Sequence, residues 1–279
     1  RGENLPLFTS CCPAWIKHAE TAHPDLLQNI SSCRSPMEMF SSVLKEQYRN
    51  DADPDGRETV IVAIMPCTAK KYEAARPEFK VDGRPSTDYV LTTQELGRMV
   101  REAGITFNEL EPEGVDMPFG LASGAGVIFG TSGGVTEAVI RHVLADKSQN
   151  ALHNIAFIGV RGLEGVKEAE LSVGDVKLKI AMVSGLKNAD NLIEKIQNGT
   201  VDYDLVEVMA CPGGCIAGAG QPYSLSASKA KRMAGLYRAD KLAQIKRSEE
   251  NPVITALYNG LLKGKTKELL HVHYGHKEN

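Results

Sequence analysis

Apolar residues in this chain gather in short unbroken runs, and stretches of helical period lie between them. Thr59 to Met65 is a nearly continuous apolar run after the turn-like Asp51-Ala52-Asp53-Pro54-Asp55-Gly56, which predicts a strand buried on both faces of a parallel sheet. Asp204 to Ala210 repeats the arrangement, and further strands are predicted at Tyr89 to Thr92, Asn154 to Val160 and Lys177 to Val183. Helices separate them. Pro13 suits the first turn of a helix carrying Trp15, Ile16 and Ala19. Ser35-Pro36-Met37-Glu38 combines a capping box with Pro at the first helical position, ahead of an apolar stripe of Met39, Phe40, Val43 and Leu44 running to about Tyr48. Thr92-Thr93-Gln94-Glu95 opens another helix that Gly104 ends, and Gly133-Gly134 precedes a helical stretch from Val135 to Leu144.

This alternation predicts an α/β fold. After Gln221-Pro222-Tyr223 the pattern changes to amphipathic helices, Ser228 to Ile245 and Pro252 to Leu262, expected to wrap the main body. A chain of 279 residues can bury roughly 75% of the surface it exposes when unfolded, so an interior site sealed from water is attainable. The net charge of −3 is spread evenly, which gives no basic field for nucleic acid and no polybasic membrane patch. No run approaches the ~20 apolar residues of a membrane span.

Five of the six cysteines stand in three clusters: Cys11-Cys12-Pro13, Met65-Pro66-Cys67 and Cys211-Pro212-Gly213-Gly214-Cys215. Cys67 and Cys211 fall just past the carboxyl ends of predicted strands, where open α/β sheets hold their ligands. Glycines around Cys215 let the backbone turn tightly about a bulky inorganic core and aim amides at its sulfurs. These features point to iron–sulfur chemistry in a reducing compartment, with the cytoplasm expected. Two other readings stay open, a zinc site and a redox disulfide between Cys211 and Cys215. Cys33 reads as a small buried hydrophobe, and His271, His273 and His276 as solvent-exposed. The glycines of Gly124-Ala125-Gly126 and Gly130-Thr131-Ser132-Gly133-Gly134 lack a following Lys-Ser/Thr pair, so they suggest close approach to a non-nucleotide cofactor instead of phosphate.

The segments Thr9 to Trp15, Met65 to Glu73 and Glu207 to Cys215 resemble, in family order, the catalytic domain of the iron-only (FeFe) hydrogenases. The likeness continues through Ser35-Pro36, Phe129-Gly130 and Gly220-Gln221-Pro222. It implies two lobes of mainly parallel sheet flanked by helices, the cluster in the crevice between them, and a helical C-terminal wrap. Residues 1–222 would be the catalytic domain, truncated at its N-terminus, and residues 223–279 a small-subunit-like segment. Carried over by position, Cys12, Cys67, Cys211 and Cys215 hold a 4Fe-4S cluster, and Cys215 bridges to a di-iron subcluster with carbonyl, cyanide and azadithiolate ligands.

The resemblance also implies that Lys70 contacts one cyanide beside the helix start at Ser35 and Pro36, and that Met65, Phe129, Gly130 and Met209 line the cavity. Cys11 and Ser31 would relay protons. An ordinary thiol pKa near ~8.5 suits Cys11 to accept and donate one. Met37 stands where many relatives carry a polar residue. The expected reaction is reversible reduction of protons to dihydrogen. Its electrons would come from a ferredoxin- or flavodoxin-like carrier, and maturation proteins would supply the di-iron group. One of the acidic residues that extend the family's proton path, and the contacts to the second cyanide, lie upstream of the first cysteine signature, so the chain is expected to be a fragment of a larger reading frame. Non-catalytic iron–sulfur scaffolds that share the fold, from which Cys11 and Lys70 discriminate, and hydrogen-sensing relatives remain alternatives.

Overall fold

The computed structural model describes residues 4–49, 57–81, 83–144, 159–173, 176–223 and 228–275. β1 (Leu7–Phe8) leads through the first cysteine loop into α1 (Pro13–Ala22), where Pro13 occupies the first turn and Trp15, Ile16 and Ala19 are buried as their spacing predicts. α2 covers Pro36–Arg49. Glu38 N donates to Ser35 Oγ at 3.4 Å, while the Glu38 carboxylate accepts from Thr87 Oγ1 at 3.1 Å, away from the expected reciprocal cap.

β2 (Val62–Met65) and α3 (Ala69–Ala74) follow, then the short antiparallel pair β3 (Lys80–Val81) and β4 (Arg84–Pro85). β5 (Tyr89–Thr92) and α4 (Thr93–Glu102) meet at a full capping box made by Thr92 and Glu95. β2 and β5 pair in parallel as a two-stranded sheet. Here the expected burial on both faces fails. Val62 and Ile64 are each 48% exposed, because the described residues supply cover on one side alone, through Met37, Ala74 and Val90.

α5 (Gly124–Val127) and α6 (Gly134–Val143) precede β6 (Val166–Val173), β7 (Val176–Ser184), α7 (Leu186–Gln197) and β8 (Leu205–Met209). These strands and β1 make the larger sheet, in the order β1-β8-β7-β6, with β1, β8 and β7 parallel and β6 antiparallel to β7. Side chains alternate across it. Ala181, Val183, Val206 and Val208 pack on Trp15, Ile16, Ala189 and Ile193 from α1 and α7. Ile180 and Met182 face Ile140 of α6 on the other side. β6 is an edge strand whose apolar and charged residues alternate, which explains why no apolar run announces it. The predicted strand Asn154 to Val160 lies outside the described residues up to position 158, and 159–160 are not in a strand.

The C-terminal part contains α8 (Ser228–Leu242) and α9 (Pro252–Asn259), close to the predicted helices, and a further helix, α10 (Thr266–Leu270), that the sequence pattern did not predict. Leu262, Leu269 and Leu270 pack on Val43 of α2. Asp240 of α8 receives Arg141 through two hydrogen bonds of 2.8 Å, within a buried network that includes Glu137. The wrap is thus fastened by both apolar contact and paired charge. No helix among the described residues is long and apolar enough to cross a membrane.

Candidate metal centre

Three loops carry the cysteines, and each is fixed by contacts that local sequence does not advertise. In the first, Thr9 N donates to Val206 O at 3.0 Å and Thr9 Oγ1 accepts from Val208 N at 3.2 Å, pinning the loop to β8. Trp15 Nε1 donates to Thr9 O at 3.1 Å from within the core. Cys12 is the N-cap of α1, and its sulfur accepts from Ala210 N at 3.5 Å, beside the third loop. The second and third loops touch through backbone. A Cβ on Gly218 would lie 2.0 Å from Pro66 O, and one on Gly220 2.8 Å from Cys67 N. Gly214 has φ 91° and would put a Cβ 2.6 Å from Ser132 N, so that glycine meets both a left-handed backbone and a close approach.

Cys12, Cys67, Cys211 and Cys215 therefore converge. Each of Cys12, Cys211 and Cys215 is within electrostatic reach of Cys67, and Cys12 acts on Cys211 and Cys215. All six cysteines are free thiols. A zinc ion would need its sulfurs about 3.8 Å apart, from tetrahedral Zn–S bonds of about 2.3 Å. No three cysteine sulfurs are mutually within 4.8 Å among the described residues. The donor set fits a polynuclear core, and four thiolates are what a 4Fe-4S cluster takes.

Burial pushes the Cys215 thiol up to about 12, with the neighbouring Cys12 adding to it, and burial likewise raises Cys12 and Cys211. Such thiols ionise together at neutral pH when a coordinated cation supplies the balancing charge. Cys11 is also raised well above the ordinary range, first by burial and then by Glu207. This corrects the expectation of a thiol near its ordinary value.

Lys70 is buried, and its Nζ donates to Glu73 Oε2 at 2.7 Å and to Cys11 O at 3.4 Å. Burial pulls its pKa down, Glu73 more than offsets this, and the ammonium stays charged beside Cys11. Ser35 Oγ donates to the same Glu73 oxygen at 2.9 Å. Ser35, Lys70 and Cys11 are thus brought together, while Pro36 is exposed. Met209 is buried at the end of β8, and Met65 packs with Met37 in an apolar cluster. Phe129 and Gly130 lie in a 3-10 turn facing α8, where a Cβ on Gly130 would come 2.6 Å from Leu236 Cδ1.

Ser31 Oγ accepts from Cys33 N at 3.2 Å, and Ser10 Oγ donates to Cys33 O at 2.6 Å, so residues 31–33 run beside the Cys11 loop. Cys33 is half-buried and its backbone bridges His271, whose Nδ1 is 2.9 Å from Ser32 Oγ. His271 is therefore anchored, against the expectation of a solvated tail. His273 is exposed as expected, and His276 lies outside the described residues.

Gly133 and Gly134 also need correction. Cβ atoms there would sit 1.8 Å from Val160 O and 1.9 Å from Ile128 O, so these glycines serve contacts with protein backbone. Sequence reasoning missed Glu73 and Glu207. Glu207 is fully buried and accepts from Gly133 N at 2.6 Å and Thr136 N at 2.8 Å, capping α6 from β8. An acidic residue inside an apolar strand was the available signal.

The family described as iron only hydrogenase large subunit, C-terminal domain, matches residues 1–219, and iron hydrogenase small subunit matches residues 226–277. The chain is 42% identical to the NADP-reducing hydrogenase subunit HndD of Solidesulfovibrio fructosivorans over 97% of its length, and spans 47% of that protein. It is 32% identical to mouse (Mus musculus) cytosolic iron-sulfur assembly component 3 over 98% of the chain and 59% of that protein. Its fold resembles a variant of apo FeFe-hydrogenase HydA1 from Chlamydomonas reinhardtii, with a TM-score of 0.77 and 37% identity over 98% of this chain and 76% of that one. The chain thus spans about half the length of the curated relatives it matches.

Proposed function

The chain belongs to the iron-only hydrogenase family, and on that premise we propose that it interconverts protons and dihydrogen. The observation that carries this reading is the meeting of a converging four-thiol set with Cys11 and with the buried Lys70, whose Nζ lies 3.4 Å from Cys11 O and 2.7 Å from Glu73 Oε2. An iron–sulfur protein without hydrogen chemistry has use for the thiols alone. Cys12, Cys67, Cys211 and Cys215 would hold a 4Fe-4S cluster and Cys215 would also meet the di-iron subcluster, with residues 1–222 as the catalytic unit and 223–279 as the small-subunit-like segment.

The bound groups would supply an electron reservoir and a Lewis-acidic iron at which dihydrogen is made or split. The chain's own residues do the rest. Lys70 offers a cation to an anionic iron ligand, and Ser35 keeps the lysine's partner Glu73 in place. Cys11 Sγ holds the proton to be delivered, with Ser31 in the adjacent strand of chain as the next hydroxyl. Met65, Met209 and Phe129 exclude water around the site, and α8 closes the loop at Gly130. Electrons would come from a ferredoxin- or flavodoxin-like carrier, the di-iron group from maturation proteins, and the free thiols suit the cytoplasm.

The test is infrared spectroscopy of protein produced with its maturation proteins, together with hydrogen evolution from a reduced carrier. Bands of metal-bound carbonyl and cyanide with turnover are expected. A protein that retains a 4Fe-4S cluster yet shows neither would be a non-catalytic relative, in line with its likeness to the cytosolic assembly component.

A further inference from the structure

α1 starts at Cys12 and ends in a second group of donors. His18 Nε2 lies 2.6 Å and His23 Nε2 2.8 Å from one and the same oxygen, Asp190 Oδ1. Among the described residues these form the one set of three or more potential ligands whose donor atoms are all within 4.8 Å.

The arrangement depends on where the helix stops. Residues five apart on a continuing helix point about 140° away from each other. His23 is instead the C-cap, with φ −135° and ψ 54°, and this break swings its ring beside His18. The two rings meet edge to face, 5.4 Å between centroids and 70° between planes, so each presents a nitrogen to a common point without stacking. Asp190 comes from α7, across the interface that holds α1 on the larger sheet. The imidazoles are 23% and 19% exposed and the carboxylate 42%, which leaves an approach from solvent. Among the described residues neither imidazole has another hydrogen-bond partner.

We propose that His18, His23 and Asp190 bind a divalent transition-metal ion, Zn²⁺ foremost, with a remaining coordination position open to water. Two imidazoles and one carboxylate suit zinc and its neighbours, whereas calcium and magnesium take oxygen sets and copper(I) takes sulfur. Nitrogen and oxygen donors about 2.0–2.1 Å from a tetrahedral ion stand about 3.4 Å apart. The Asp190 oxygen therefore moves away from each imidazole nitrogen by less than ~1 Å, which the exposed carboxylate can supply. Each imidazole then carries its proton on Nδ1. The ion would staple the far end of the Cys12 helix to α7, independently of the iron chemistry.

The experiment uses protein whose four ligand cysteines, Cys12, Cys67, Cys211 and Cys215, are already occupied by reconstituted iron–sulfur cluster, so that those thiols do not compete. Zn²⁺ and Co²⁺ are titrated into wild type and into His18→Gln, His23→Gln and Asp190→Asn variants. One retained equivalent is expected in wild type, with a cobalt spectrum free of thiolate charge-transfer bands and a thermal midpoint raised by zinc. Each variant should keep its iron content and lose affinity at least ~10-fold, the lower end of what even outer partners of a metal site cost. X-ray absorption of zinc-bound wild type, which needs no variant, should show imidazole and oxygen donors. Sulfur donors, no retained zinc, or equal binding by wild type and the His18→Gln/His23→Gln double variant would each overturn the proposal.

Discussion

Glu20 and Arg76 close on each other through two parallel hydrogen bonds, Nη1 to Oε2 at 3.0 Å and Nη2 to Oε1 at 2.6 Å, with both side chains sealed from water. Glu20 belongs to the helix capped by Cys12, and Arg76 follows α3, the helix behind Cys67 that carries Lys70. The pair therefore sets the distance between two cysteine loops that are more than fifty residues apart in sequence. Glu20→Ala leaves a buried guanidinium with Glu78 as its remaining carboxylate, so a loss of about 3 kcal/mol is expected in denaturant unfolding. Iron bound per chain should fall with it.

Gly218→Ala tests the contact between the second and third cysteine loops. The added Cβ has Pro66 O at 2.0 Å, a backbone atom that no rotamer change removes. A cost of roughly 1–3 kcal/mol is expected, together with impaired cluster loading. Gly199→Ala makes no such collision, although its φ of 72° is strained, so it separates backbone strain from loop contact. Equal iron content in the two variants would contradict the loop-contact account.

Cys11→Ala should leave iron content near that of wild type and reduce hydrogen evolution by about 10²- to 10⁴-fold, the range of a positioned proton donor. Cys67→Ala should instead lose iron. Cofactor analysis alongside gas chromatography distinguishes the two roles, and an active Cys11→Ala protein would remove Cys11 from the proton path.

Glu38 gives a pH dependence of defined sign. Burial, reinforced by Glu73, raises its carboxyl from 4.5 to about 7. The folded state then binds the proton more tightly than the unfolded chain, so this group favours the folded state below about pH 4.5 and that contribution is lost as pH rises to about 7. Glu38→Gln keeps an acceptor for Thr87 and removes the titration. Unfolding free energy of the variant, measured from pH 5 to 8, should fall less steeply with pH than that of wild type, by up to ~3 kcal/mol across the window.

Much of this was legible in the chain. Pro13 and the spacing of Trp15, Ile16 and Ala19 placed α1, and Thr92 with Glu95 placed the start of α4, because capping and periodicity are local properties. The cysteine signatures named the chemistry because thiols beside Pro and Gly carry their meaning in residue type. Strand burial was less legible: the apolar run ending at Met65 looked like an interior strand, yet Val62 and Ile64 face outward.

The amino-acid order alone determined the α/β alternation, the helix starts and the thiols available for metal, since backbone preference and donor chemistry act over a few residues. Tertiary structure decided that Gly218 lies on Pro66, that Glu20 meets Arg76, that Glu207 caps α6 and that His18, His23 and Asp190 share a point. Those are meetings of distant segments. They follow from how whole layers pack, and no window along the chain contains both partners.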